Sequence, residues 1–212
     1  MPRLVAFGCS YTYGHGLPDC HVPPDHPGDK PSKFAWPQLI ANELHYECLN
    51  LSEPGSGNFQ ILMNVLRTKF NSDDLVILGY SYFSRFRFYQ MSDKISKGYI
   101  LPQYDPEHRK ILLEDLNFEH WDKKIYWDNW LAIQHIELLL NSQNIKNLSF
   151  LNIPGGLKGK GAKPKLLKLD NFINNMKIVH KDKALDGAHP GLGSHASQAA
   201  LILEAIYDKM KT

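Results

Sequence analysis

The chain has few of the features that mark several common protein classes. It contains only 3 cysteines in 212 residues and no C-x-x-C pair, which argues against a zinc site and against a disulfide framework. No apolar run approaches membrane-spanning length, and the first apolar run follows the initial Met-Pro-Arg directly, without a secretory leader. We therefore expect a soluble, cytoplasmic protein that does not associate with membranes.

Charge of one sign is also scarce. The 24 Lys and Arg residues almost balance the 22 Asp and Glu residues, which leaves a formal net charge of +2 and no electrostatic reason to expect a nucleic-acid partner. Lysines and glycines do cluster at residues 155–168. Because no aromatic side chains alternate with them, a solvated loop is favoured over a phosphate-contacting one.

Short apolar runs alternate with helical patterns, and no repeat or low-complexity tract is present. Four runs predict buried strands at residues 4–7, 47–51, 75–78 and 148–153, and a fifth, weaker run lies at residues 176–179. Helical patterns lie at residues 37–44, 61–66 and 130–140 and from residue 194 onward. Alternation of this kind predicts an α/β fold with a mainly five-stranded parallel sheet and helices on both faces.

A single domain is expected over residues 1–212, because this length supports one full-sized core. Residues 88–124 fit the alternation poorly and are rich in Tyr and Trp. We interpret them as an insertion, which is either a lid or substrate-binding element or a structural excursion on the sheet edge.

Ser10 lies where the first apolar run ends, in the segment GCSYT at residues 8–12. A strand that ends there places the hydroxyl at the carboxyl edge of the sheet, where open α/β folds build their sites. Cys9 should point the opposite way, into packing. Ser10 is therefore a candidate nucleophile, and the alternative is a helix N-cap.

An acid and a base stand close together near the other end of the chain, in the segment DGAHP at residues 186–190. A serine hydroxyl needs a base to take its proton, and His189 is the candidate base. Asp186 can orient one imidazole nitrogen while the other faces Ser10. His195 is a rival base, but its position within the last predicted helix favours a place on the helix surface.

Histidines and aspartates that could bind a metal ion follow Ser10. These residues are His15, Asp19, His21, Asp25, His26 and Asp29. Their spacing matches no ligand pattern, so they are predicted to be solvated loop residues and no metal is expected.

Together these segments resemble the sequence blocks of SGNH (GDSL-like) hydrolases. Residues 8–12 are similar to the block that carries the nucleophile, and residues 186–190 to the block that carries acid and base. The segment NLSEPGSGN at residues 50–58 resembles the block in which a glycine N–H joins the oxyanion hole, and Gly55 is the matching position. The resemblance implies a flavodoxin-like three-layer α/β/α fold, ester or acyl hydrolysis, and no metal or organic cofactor.

The third block departs from the family pattern of Gly-x-Asn-Asp. The chain has GYSYFSR at residues 79–85, so Ser81 occupies the position of the asparagine that donates to the oxyanion. A missing oxyanion donor costs about 100- to 1000-fold in turnover. Either Ser81, Arg85 or an insertion residue supplies the donor, or the enzyme is slow. Arg85, Tyr82 and Asn58 are also candidate substrate-binding residues.

The sequence thus predicts a serine esterase or acyl hydrolase that acts on a small acyl ester. Ser10, His189 and Asp186 would form the triad, and the oxyanion hole would comprise Ser10, Gly55 and Ser81. The aromatic insertion makes an acetylated carbohydrate a candidate substrate. The alternative, motivated by the altered third block, is a non-catalytic module that binds a glycan or a protein. The acyl group, the alcohol and the oligomeric state stay open.

Overall fold

A central parallel sheet with flanking helices forms the framework of the described part of the chain. The structure is a computed structural model that describes residues 1–83, 85–89, 96–100, 118–151, 176 and 178–211. In chain order the elements are β1 (Arg3–Phe7), α1 (Ser10–Tyr13), β2 (His21–Val22), β3 (His26–Pro27), α2 (Trp36–Leu44), β4 (Glu47–Asn50), α3 (Asn58–Arg67), β5 (Leu75–Tyr80), β6 (Arg85–Tyr89), β7 (Ser96–Ile100), α4 (Phe118–Ser142), β8 (Lys146–Leu151) and α5 (Leu192–Met210).

The sheet has four strands in the order β4-β1-β5-β8, and every neighbouring pair is parallel. Numbered among themselves, these strands run 2-1-3-4, the order of flavodoxin-like doubly wound sheets. The carboxyl ends of β1 and β5 lie side by side, with Phe7 opposite Leu78. Residues that follow these two strands therefore meet at one edge of the sheet.

Alternating side chains of β1 divide between two apolar cores. Leu4 and Ala6 pack in a cluster with residues of α2 and α5, whereas Val5 and Phe7 pack with residues of α3 and α4. This division follows from the period of two in a strand, which sends successive side chains to opposite faces. The result is the predicted three-layer α/β/α arrangement, which is confirmed.

The predicted fifth strand at residues 176–179 is not found among the described residues of that segment. Met176, Ile178 and Val179, the described residues of this segment, form no strand. Met176 and Ile178 still pack against the core that contains α2 and α5. The backbone N–H of Val179, however, donates to the side-chain Oε1 of Gln198 at 3.2 Å. The apolar side chains of this segment therefore pack in the core. The Val179 N–H, which would donate to a neighbouring strand in a sheet, donates to the Gln198 side chain instead.

The predicted insertion at residues 88–124 lies largely outside the described residues. Its described parts belong to the antiparallel pair β6–β7 and to the beginning of α4. Helix α4 starts well before the predicted residue 130, because no proline or glycine interrupts Phe118–Ser142. The lysine- and glycine-rich segment at residues 155–168 lies outside the described residues. No helix in the described part of the chain combines the length and apolar character needed to cross a membrane.

Candidate active site

Three side chains from the two ends of the chain form one hydrogen-bonded series. Ser10 Oγ lies 3.0 Å from His189 Nε2, and His189 Nδ1 lies 2.6 Å from Asp186 Oδ2. The Asp186 side chain is only 3% exposed, whereas that of His189 is 27% exposed. A base within reach of a hydroxyl, with a carboxylate on its other nitrogen, can draw the proton from that hydroxyl.

The protonation of the imidazole follows from these partners. The Asp186 carboxylate can only accept, so His189 Nδ1 carries the hydrogen and Nε2 is left as an acceptor for the Ser10 hydroxyl. This is the tautomer that a general base needs.

A short turn before α5 holds the acid and the base. The N–H of Ala184 donates to the carbonyl of His189 at 2.8 Å, and the N–H of Gly191 donates to the carbonyl of Asp182 at 3.0 Å. The Asp182 carboxylate in turn accepts from the backbone N–H groups of Gly193 and Ser194 at the beginning of α5. These bonds fix the turn to the N-terminal end of α5.

The Asp186 carboxylate is built to stay ionised. Its Oδ1 accepts from the N–H groups of Ala188 at 2.9 Å and His189 at 3.0 Å. Burial alone would raise the pKa of Asp186, but these N–H groups and the imidazole outweigh burial and lower the pKa to about 2. At neutral pH the site thus contains a fixed negative charge that stabilises a protonated His189.

The segment just after α1 packs against the acid and the base. The rings of His15 and His189 lie 4.5 Å apart between centroids, at an interplanar angle of 31°. Burial and the neighbouring His189 lower the pKa of His15. Gly16 has a φ of +84°, and a Cβ there would lie 2.6 Å from Asp186 Oδ2. Only a residue without a side chain fits this close approach.

His15 and Gly16 were not predicted to belong to the site. His15 was predicted to be solvated, yet it is half-buried against a catalytic candidate. The one available signal was their position, since the segment GHG at residues 14–16 follows Ser10 closely.

Some of these side chains could also ligate a metal ion. Ligand atoms of His15, Asp186 and His189 lie within 4.8 Å of one another, and no other such group occurs among the described residues. Both nitrogens of His189 are already engaged by Asp186 and Ser10. The arrangement is therefore accounted for without a metal.

The segments that follow β1 and β4 contain the two predicted backbone donors, Ser10 and Gly55. Among the described residues, neither the N–H of Ser10 nor that of Gly55 has a hydrogen-bond acceptor. Gly55 has a φ of +80°, and a Cβ there would meet nothing within 4 Å. The glycine is thus required by the left-handed backbone of the turn rather than by space. Two unpaired N–H groups at one sheet edge are suitable for an oxyanion.

The residues after β5 form a tightly bonded group. The Asn58 side chain makes two hydrogen bonds to the backbone of Ser81: it accepts from the Ser81 N–H at 2.7 Å and donates to the Ser81 carbonyl at 3.1 Å. Both residues are 0% exposed. Asn58, predicted as a candidate substrate-binding residue, therefore has its side-chain amide committed to Ser81.

Arg85 bridges this group to the Gly55 turn. Its Nη1 donates to Ser81 Oγ at 3.2 Å and to the carbonyl of Ser56 at 3.1 Å. The guanidinium carbon also lies 5.2 Å from the centroid of the Tyr82 ring, and Tyr82 is 39% exposed. Of the three predicted substrate-binding residues, Arg85 and Tyr82 therefore retain some exposed surface.

The rival candidates lie in the core. His195 was expected on a helix surface, but it is 0% exposed, which corrects that expectation. Its Nδ1 accepts from the N–H of Trp36 at 3.1 Å, its ring stacks on Tyr11, and burial lowers its pKa to about 4. Cys9 is buried in the apolar cluster with α2 and α5, as its position beside Ser10 predicted.

The chain is similar in structure to several carbohydrate esterases. One is an acetyl xylan esterase, Est2A, from the rumen bacterium Butyrivibrio proteoclasticus: TM-score 0.61, 13% identity, 99% of this chain and 64% of that chain covered. Another is a carbohydrate esterase whose active site is described as displaying divergent catalytic and non-catalytic binding functions: TM-score 0.56, 14% identity, coverage 97% and 64%.

A third is a carbohydrate esterase family 2 enzyme with a carbohydrate binding domain from Corynascus thermopiles (Myceliophthora fergusii): TM-score 0.55, 11% identity, coverage 99% and 67%. The chain thus spans about two thirds of the length of these structures. No protein-family model and no curated protein matches the sequence. At these identities the likeness shows a shared fold and nothing finer.

Proposed function

We propose that this protein is an SGNH-type serine ester hydrolase. The observation that carries the proposal is the hydrogen-bonded series from Ser10 Oγ through His189 to Asp186, with distances of 3.0 and 2.6 Å. The fold shared with carbohydrate esterases supports it, and so do the unpaired N–H groups of Ser10 and Gly55.

In the proposed reaction, Ser10 Oγ attacks the carbonyl carbon of the ester while His189 Nε2 takes the hydroxyl proton. The N–H groups of Ser10 and Gly55 stabilise the negative oxygen of the tetrahedral intermediate. When the C–O bond to the alcohol breaks, His189 returns the proton to the departing oxygen and an acyl-serine remains. Water then attacks the acyl group, His189 takes its proton, and the carboxylic acid leaves as Ser10 regains its hydrogen.

The proposed substrate is an acetyl ester of a carbohydrate. This proposal is supported by the similar structures, which are described as an acetyl xylan esterase and two carbohydrate esterases. The partly exposed Tyr82 and Arg85 next to Ser81 are suited to contact the hydroxyl groups of a sugar.

Hydrolysis of p-nitrophenyl acetate and of acetylated xylo-oligosaccharides tests the proposal. We expect turnover by the wild type, loss of at least about 1000-fold in Ser10→Ala, and no change in the control Ser142→Ala. The control serine is exposed on α4, and its hydroxyl donates to the Leu139 carbonyl in the same helix. Equal rates for the wild type and Ser10→Ala would contradict the proposal.

A non-catalytic binding module on the same scaffold is the second candidate. One similar structure is described as having both catalytic and non-catalytic binding functions. Binding of xylo-oligosaccharides to a folded wild type without any Ser10-dependent ester cleavage would favour this candidate. The alignment of His189 between Ser10 and Asp186 favours the enzyme, because binding alone needs no such series.

A further inference from the structure

The proposed oxyanion hole has two backbone donors, and Ser81 is badly placed to add a third. Its side chain has no exposed surface, so a ligand oxygen cannot touch the hydroxyl. The Asn58 amide holds both the N–H and the carbonyl of Ser81, which prevents the residue from turning outward. Ser81 Oγ instead accepts a hydrogen bond from Arg85.

Arg85 is held at the junction of the two loops that border the site. One nitrogen, Nη1, bonds both the Ser56 carbonyl, next to Gly55, and the Ser81 hydroxyl. The ring of Tyr82 lies 5.2 Å from the guanidinium carbon. Because three groups fix it, the guanidinium loses little further freedom when it binds another group.

Part of the guanidinium is left without a partner. A guanidinium has five N–H donors, and the two bonds from Nη1 use two of them. Nε is buried and has no hydrogen-bond partner, and within the described residues no carboxylate forms an ion pair with Arg85. Nη2 is also unpaired among the described residues and is not buried, so it is the nitrogen that a ligand oxygen can reach. A buried cationic donor that lacks a partner is destabilising by itself and favours a nearby negative charge.

We propose that Arg85 supplies the third donor and the positive charge of the oxyanion hole, and that Ser81 anchors it. This inference rests on the proposed ester hydrolysis. Negative charge develops on the carbonyl oxygen only as Ser10 attacks, so the guanidinium interacts more strongly with the transition state than with the bound ester. Arg85 forms no covalent bond to the substrate and stays protonated throughout. An interaction of this kind raises kcat and leaves KM nearly unchanged.

Steady-state hydrolysis of p-nitrophenyl acetate by Arg85→Ala, Arg85→Lys and the control Arg67→Ala tests the inference. Arg67 is an exposed arginine in the last turn of α3 and has no place in the proposed site. We expect Arg85→Ala to lose about 100-fold or more in kcat with KM within about threefold of the wild type. Arg85→Lys should lose less, because it keeps the charge, and Arg67→Ala should match the wild type.

Rescue by added guanidinium separates a chemical role from a structural one. Low-millimolar guanidinium chloride should restore part of the kcat of Arg85→Ala and leave the wild type unchanged, with melting temperatures measured in parallel. If Arg85→Ala does not fold, Arg85→Gln replaces it. A folded variant with wild-type kcat, or a lost kcat that guanidinium does not restore, overturns the inference. A wild type without Ser10-dependent turnover overturns the proposed function itself, so the two failures are distinguishable.

Discussion

Replacing Asp186 by asparagine tests the acid of the candidate triad with almost no change in volume. In the wild type, Oδ1 accepts from two backbone N–H groups and Oδ2 accepts from His189 Nδ1. An asparagine that keeps its oxygen on the backbone N–H groups points its NH₂ at Nδ1. His189 must then accept at Nδ1 and carry its hydrogen on Nε2, which cannot take the Ser10 proton. We expect kcat to fall by about 1000- to 10,000-fold.

The same substitution has a consequence for stability that depends on pH. The native structure lowers the pKa of Asp186 from 3.8 to about 2, which corresponds to roughly 2 kcal/mol of stability at neutral pH. Because the folded-state pKa is the lower one, this contribution is complete above the unfolded-state pKa of 3.8 and is lost as the pH falls toward 2. Asp186→Asn should lack it at every pH.

Urea unfolding of both proteins at several pH values between 7 and 2, together with kcat at pH 7, provides the assay. The difference in free energy of unfolding should be about 2 kcal/mol at pH 7 and should shrink below pH 4. A kcat within tenfold of the wild type would refute the orienting role of Asp186. A stability difference that stays constant from pH 5 to pH 2 would refute the argument from its pKa.

Two further predictions concern the surroundings of the site. Gly16→Ala should lower the free energy of unfolding by about 1–2 kcal/mol and also reduce kcat, because its Cβ would displace the Asp186 carboxylate at 2.6 Å. Gly187→Ala, at a residue with a φ of +67° and open space around it, should cost similar stability but retain kcat. The wild type should lose about 2 kcal/mol of stability between pH 7 and pH 5, because the pKa of His195 is lowered from 6.5 to about 4, so the unfolded chain takes up a proton that the folded protein excludes. His195→Asn should flatten this slope while its amide oxygen still accepts from the Trp36 N–H, and an equal slope in both proteins would count against the buried neutral imidazole.

The positions of Ser10, Asp186 and His189 could be predicted because topology determines them. Ser10 follows the first strand and the other two precede the last helix, so a parallel sheet brings them to its carboxyl edge whatever their surroundings. The gap in the third block was also visible in the sequence, since Ser81 stands where an amide is expected. The sequence pattern therefore predicts which strand each of these residues follows.

The remaining contacts depend on packing between segments that no local pattern connects. His15 and Gly16 lie in a loop whose path is set by its contact with the turn at Asp186. His195 has a polar side chain in a helix, which favours the surface, yet the Trp36 N–H gives it a buried partner. The apolar residues Met176, Ile178 and Val179 favour a strand, but the bond from the Val179 N–H to the Gln198 side chain could not be predicted from the sequence.

The sequence indicated Arg85 as a candidate oxyanion donor, but its contacts could not be predicted. Its distance from Ser81 in sequence says little about its role, since the two bonds from Nη1 to Ser81 and Ser56 exist only once β5, β6 and the Gly55 turn are assembled.

Reaction with a fluorophosphonate, followed by peptide mapping, tests the central claim most directly, because it reports an activated serine without knowledge of the substrate. We predict a single covalent adduct on Ser10 of the folded wild type, and strongly reduced labelling in His189→Ala. A folded wild type that forms no adduct, or an adduct on another residue, would contradict the account.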